Sequence, residues 1–227
     1  MKSTSLARAS FNTTCLLLLI ALPSQAQEAE PASLRFVNAT GALGALTVRL
    51  NGELLQARGY LSGQATGRLE LAAGTCLIEL LHPRFGRVAL PLELQPGDVR
   101  TVVAVIEPAR ASETPPPPPK LTSHVLAQPP PDPLVRRRLR VWQATPLEQL
   151  DLHVAGRELR CRRHRVESLS LEQPQPLLEH AGEALGRLPF DEAGDGTLIL
   201  FADDGGRLRH LFFLDPTGTS EATDERR

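Results

Sequence analysis

Arg136, Arg137, Arg138, Arg140, Arg157, Arg160, Arg162, Arg163 and Arg165 crowd one stretch of the chain, and the acids of the same half concentrate from Glu172 onward. A guanidinium is a planar fork that grips carboxylate or sulfate, bidentately where geometry allows. The stretch therefore offers a patch for an acidic polysaccharide or an acidic partner protein. Its alternative is a set of solvated strand faces, neutralised across a sheet by the later acids. Tyr60, the one tyrosine of the chain, sits in a glycine-punctuated loop. There it either stacks on a sugar ring or plugs the end of a β domain.

Other chemistry is thinner. Asp203-Asp204 precedes Gly205-Gly206, and Asp191-Glu192 precedes another glycine-containing bend; Asp in such places bonds its own backbone and builds a turn. The 6 histidines, His82, His124, His153, His164, His180 and His210, are scattered, none at the short spacing by which a metal site is recognised in sequence. No Gly-x-Ser-x-Gly elbow and no strand-to-helix phosphate loop occurs. Catalytic, cofactor and metal residues are all expected to be none, so the chain reads as not an enzyme. Cys15 leaves with an export signal, and Cys76 and Cys161 remain. They are either a bridge between two halves in an oxidising compartment or two small buried apolar groups.

The elements that must position these residues are written twice. Leu34-Arg35-Phe36-Val37-Asn38-Ala39-Thr40 returns as Leu139-Arg140-Val141-Trp142-Gln143-Ala144-Thr145. Each copy then alternates apolar and polar residues up to a glycine, through Leu46–Asn51-Gly52 and through Leu150–Ala155-Gly156. Asn-Gly favours a type I′ hairpin because both central positions need positive φ. Further short alternating runs follow at Arg68–Leu71, Cys76–Leu81 and Val88–Leu94, and Gln95-Pro96-Gly97-Asp98 turns the chain into an apolar strand, Val99–Ile106. Thr197–Phe201 and Leu208–Leu214 form a late hairpin in the second copy, whereas 177–186 reads as one or two helical turns. About seven short strands in the first copy at this spacing argue for a β-sandwich, with a small barrel as the structural competitor, and the second copy keeps the strand–hairpin beginning and then diverges.

With 227 residues, 41% hydrophobic and 22% charged, the chain suits globular domains rather than disorder. The aromatic share of 4% means that Leu, Val, Ile and Ala must supply the cores. Formal net charge is −1, before two positive charges, Lys2 and Arg8, depart with the signal. That balance gives no support for nucleic acid as a partner. Lys2 and Arg8, the apolar run from Cys15 to Leu22 and the small residues Ser24 and Ala26 make a secretory signal, too short to span a bilayer.

The expected organisation is a cleaved signal peptide (1–26), a first β-sandwich (31–107), a Pro-rich linker (108–133), a second β-sandwich (134–216) and a disordered tail (217–227). Within the linker, Leu121–Ala127 is a candidate short strand docking onto a domain. The fold class is all-β: two Ig-like sandwich domains related by internal duplication. The protein should be periplasmic or extracellular, with no membrane span once the signal is removed.

Leu34–Ala39, the Asn51-Gly52 hairpin, Leu71-Ala72-Ala73-Gly74 and the Gln95-Pro96-Gly97 strand pair resemble secreted bacterial β-sandwich modules of uncharacterised type. The order of signal and two sandwiches, with Leu139-Arg140-Val141 opening the second, resembles the periplasmic adaptor family of alginate O-acetylation. That resemblance implies a protein that bridges envelope proteins and does no chemistry itself. A polysaccharide- or cell-wall-binding module that reads acidic glycans is the other function the residues suggest.

Overall fold

The computed structural model describes residues 30–108, 115, 117–130, 135–190 and 193–215. The expected signal and tail, Asp191-Glu192 and part of each proline run lie outside the described residues. Among these residues the chain is strand and turn throughout. The first copy comprises β1 (Ala32–Asn38), β2 (Thr47–Leu50), β3 (Glu53–Leu54), β4 (Leu69–Leu71), β5 (Gly74–His82), β6 (Gly86–Leu94), β7 (Val99–Glu107) and β8 (Lys120–Ala127). The second comprises β9 (Arg137–Gln143), β10 (Gln149–Val154), β11 (Arg157–Arg162), β12 (Val166–Ser170), β13 (Leu177–His180), β14 (Glu183–Arg187), β15 (Gly194–Ala202) and β16 (Leu208–Asp215).

Each copy folds into two four-stranded sheets. The orders β4-β1-β7-β8 and β12-β9-β15-β16 are the same arrangement, and so are β3-β2-β5-β6 and β11-β10-β13-β14. Even the parallel pair inside each inner sheet is repeated, β1 beside β7 and β9 beside β15. The repeat thus extends from the sequence motif to the topology. Turn chemistry repeats as well. Asn51-Gly52 has φ of 51° and 85°, and the equivalent Ala155-Gly156 has 52° and 75°. Positive φ at both positions is the requirement of the I′ hairpin.

Two expectations are corrected. The stretch 177–186 is a hairpin rather than helix: Leu177–His180 pairs with Glu183–Arg187 around Ala181-Gly182, whose φ values are 50° and 81°. The span 108–133 is also more than a spacer. Its middle is β8, the docking strand expected at Leu121–Ala127, antiparallel to β7 from Arg100↔Ala127 to Glu107↔Lys120, so the first copy has eight strands and the apolar β7 lies inside its sheet. Pro91 lies on β6, at the margin of its sheet, where a missing N–H costs no ladder bond.

Each copy has its own aliphatic core. Leu34, Phe36, Val48, Ile78, Leu80 and Val102 fill the first; Leu139, Val141, Leu152, Leu178, Leu198 and Leu200 fill the second. A third core lies between them. Val37, Ala39, Val103, Val105 and Leu126 on the back of one inner sheet meet Trp142, Ile199 and Phe201 on the back of the other. Burial of each such side chain is worth about 1.5–3 kcal/mol, so the contact competes in strength with either domain's own core. This explains why β1, β9 and β15 are buried on both faces. The result is four layers: outer sheet, inner sheet, inner sheet, outer sheet.

Gly41 marks how closely the copies approach. Its φ is +66°, and a Cβ there would lie 1.9 Å from the carbonyl oxygen of Ala202 in the other copy. Gly52, with φ of +85°, has open space around it. Gly41→Ala is therefore expected to destabilise the protein by about 2–4 kcal/mol, and Gly52→Ala by only the αL strain of about 1–2 kcal/mol. Urea denaturation of both variants checks this; equal losses would refute a tight contact at Gly41.

Candidate functional site

The structure scatters the arginines predicted to form a patch. Arg137 and Arg140 are buried on β9, and Arg138 and Arg163 are half-buried. Arg138 clamps Asp195 with both forks, its Nε 3.0 Å from Oδ1, and also donates to the carbonyl of Pro130 at 3.2 Å. Arg140 donates to the Ala127 carbonyl at the end of β8 (2.6 Å). Arg137 donates to the Glu172 carbonyl (3.4 Å). Arg160 pairs with Asp151 and Glu158 on the outer sheet, at 3.4 and 3.8 Å. Arg136, Arg162 and Arg165 are exposed.

The cysteine bridge is ruled out by position. Cys76 lies in the first core and Cys161 in the second, both as free thiols. Burial pushes the Cys161 thiol up to about 12, with Glu167 and Asp151 adding to the effect, so the thiolate is unavailable near neutrality. Tyr60 is half-buried against the first core, and its backbone bridges Leu46. Its carbonyl accepts from Asn38 Nδ2 at 2.8 Å. That is the position of a plug at the end of the domain. Asp203 serves its turn, as Oδ1 accepts from the N–H groups of Gly205 (3.0 Å) and Arg207 (2.9 Å).

The chemistry that the structure does assemble lies at the contact between copies, in two clasps. At one end Asp215, on the last strand, accepts from Arg68 (2.7 Å) and Arg35 (3.4 Å), both in the first copy. The Arg35 guanidinium also lies over the Phe213 ring, 4.3 Å from its centroid. Arg35 and Arg140 occupy the same position in the two repeats, and each reaches the end of the other copy's final strand, β16 or β8. Burial lowers the pKa of both, and Asp215 opposes that shift, so each guanidinium stays charged.

At the other end of β7 stands Glu107. Arg163, from the turn after β11, donates to its Oε2 at 2.7 Å. His124 on β8 and His164 in the same turn as Arg163 place their Nε2 atoms 3.5 and 3.3 Å from its Oε1. Glu107 is thus shared by two imidazoles and a guanidinium, from both copies. The two imidazole rings are 4.3 Å apart, and Trp142 stacks on His164 at 5.6 Å. His164 adopts φ of 55°, and its N–H bonds the Gln143 carbonyl at 3.0 Å, which fixes the ring's approach. Burial depresses the His164 pKa first, then His124; Glu107 acts in the opposite direction.

Sequence spacing could not reveal this trio, because Glu107, His124 and His164 come from three different elements. One signal was available. On β7 the alternate residues Thr101, Val103, Val105 and Glu107 share a face, and β8 pairing puts His124 opposite Val103 on that face. Among the described residues no helix is long and apolar enough to cross a membrane. Neither a protein-family model nor a curated protein matches the chain.

The Arg163–Glu107 pair is mostly shielded from solvent, at 16% and 25% side-chain exposure, against 59% and 50% for Arg160–Asp151. A double-mutant cycle through Arg163→Gln and Glu107→Gln is expected to give a coupling of about 1–2 kcal/mol. The Arg160–Asp151 cycle should give only about 0.2–1 kcal/mol. Equal couplings, read from urea denaturation, would contradict a structural clasp at Glu107.

Proposed function

We infer that this chain is an exported, non-catalytic adaptor of the cell envelope that holds partner proteins at a fixed separation. Exopolysaccharide O-acetylation, alginate-like, is the process that its resemblance suggests. The observation that carries the reading is the four-layer stack. Because the two inner sheets are buried in each other, the outer sheets β3-β2-β5-β6 and β11-β10-β13-β14 are left as the broad faces. A shared core and two ionic clasps keep those faces in one mutual orientation, which suits bridging. The buried arginines serve the clasps, which weakens the case for a polyanion groove. The outer face of the first copy carries Leu77 and Leu81, exposed at 42% and 48%, with Pro91 opposite Leu77. Exposed leucines on a strand face are the composition of a protein contact rather than of a glycan cleft.

The test uses the full chain exported in its native host, followed by cross-linking in the envelope and, separately, by chromatography of the purified protein on immobilised alginate. The adaptor reading expects cross-links to envelope proteins that Leu77→Asp and Leu81→Asp reduce by about 10-fold or more, a loss of about 1.4 kcal/mol or more. It also expects no retention on alginate. Retention that Arg136→Ser, Arg162→Ser and Arg165→Ser abolish, with no envelope cross-links, would replace it with a glycan-binding module.

A further inference from the structure

The geometry points to a divalent transition-metal site at the domain interface, formed by Nε2 of His124, Nε2 of His164 and Oε1 of Glu107, which takes Zn2+ or an ion of similar preference. The inference stands apart from the adaptor reading and from its test.

Three observations converge. The three ligand atoms all lie within 4.8 Å of one another. The two nitrogen-to-oxygen distances, 3.5 and 3.3 Å, match the ligand-to-ligand edge of about 3.3–3.4 Å that a tetrahedral ion with bonds of ~2.0–2.1 Å requires. The third edge, between the two imidazole nitrogens, is within 4.8 Å, so a bound ion would draw the two rings toward each other.

The second observation is polar atoms without partners. Nε2 of His124 and Nε2 of His164 are both shielded from solvent and form no hydrogen bond, although each is within ion-pair distance of the carboxylate. Nitrogens aimed near an oxygen but out of line with it are poorly placed for N–H···O bonds. They are well placed to share a cation with it. Further orphaned atoms, Thr122 Oγ1, Gln143 Oε1 and Arg163 Nε, belong to the residues that flank the pair. Buried polar groups in folded proteins are nearly always satisfied, so a concentration of unsatisfied ones asks for a ligand.

The third is the division of the carboxylate. Arg163 holds Oε2, so Oε1 is left to face both imidazoles. A metal ligand oriented by a second partner on its other atom is the ordinary arrangement of a supported site. Two imidazoles and one carboxylate select a borderline ion such as Zn2+, Co2+, Ni2+ or Cu2+ over Mg2+ or Ca2+, which prefer all-oxygen shells. Three protein ligands leave the fourth tetrahedral position to a water or another ligand. Because His124 and Glu107 belong to one copy and His164 to the other, the ion would pin the two together.

The experiment titrates the untagged, chelator-treated full-length mature protein with Co2+ chloride and then displaces it with Zn2+. The expected result is one Co2+ per chain with visible ligand-field absorption. Emission of Trp142, the sole tryptophan, should fall as Co2+ binds beside His164. His164→Ala and His124→Gln should each weaken binding by more than about 10-fold, since even outer partners of metal ligands cost that much. His153→Ala, at an exposed position on β10, should leave it unchanged. If His164→Ala loses its native circular dichroism, His124→Gln decides alone. Absence of saturable Co2+ uptake by the wild type overturns the proposal. So does uptake that persists unchanged in His124→Gln, or that His153→Ala weakens equally.

Discussion

Everything in this molecule depends on the apolar contact between the backs of the two inner sheets. A β-sandwich ordinarily turns one face of each sheet to water. Here Val37, Val103 and Val105 of one copy would be exposed without Trp142, Ile199 and Phe201 of the other. Neither domain can leave its partner without wetting aliphatic surface as extensive as part of its own core. The two similar units are therefore more than a repeat: each is the cover for the other.

Charge is used around that contact to set orientation. Hydrophobic packing alone is non-directional and would tolerate rotation of one flat sheet on another. Asp215 with Arg35 and Arg68 fixes one end, and Glu107 with Arg163 fixes the other. Ion pairs this buried contribute little net stability once desolvation is counted, but a wrong rotation would strand a carboxylate without its cation. The same repeat position, Arg35 and Arg140, reaches across in both directions, so the duplicated motif contains the rule for its own docking.

Most of the architecture was legible in the residues. The Leu-Arg-x-x-x-Ala-Thr motif marked the doubling, and alternation marked strands such as Leu150–Val154, whose inward Leu150, Leu152 and Val154 are all buried. The doubly buried β7 and β15 read as near-continuous apolar runs, but a sequence does not say whether such a run is covered by its own domain or by another. Two local errors have physical causes. Proline-rich flanks made 108–133 read as a spacer with one short docking strand, although β8 pairs with β7 along its whole length, because composition is a property of a segment and pairing is a property of its neighbours. Leu177–Gly186 is made of good helix formers, yet Ala181-Gly182 takes the same pair of positive φ values as Ala155-Gly156, and cross-strand pairing prevails over local propensity. The interface trio was hidden because its members meet only after the copies dock.

The central claim is that the two copies form one cooperative body. Equilibrium urea unfolding followed at once by Trp142 emission, which reports the contact, and by far-ultraviolet circular dichroism, which reports the strands, tests it most directly. The account predicts superimposable transitions with a common midpoint, because exposing Trp142 exposes the backs of both inner sheets. A tryptophan transition at clearly lower urea, completed while the strand signal is still intact, would show that the copies separate as independent folded domains and would contradict it.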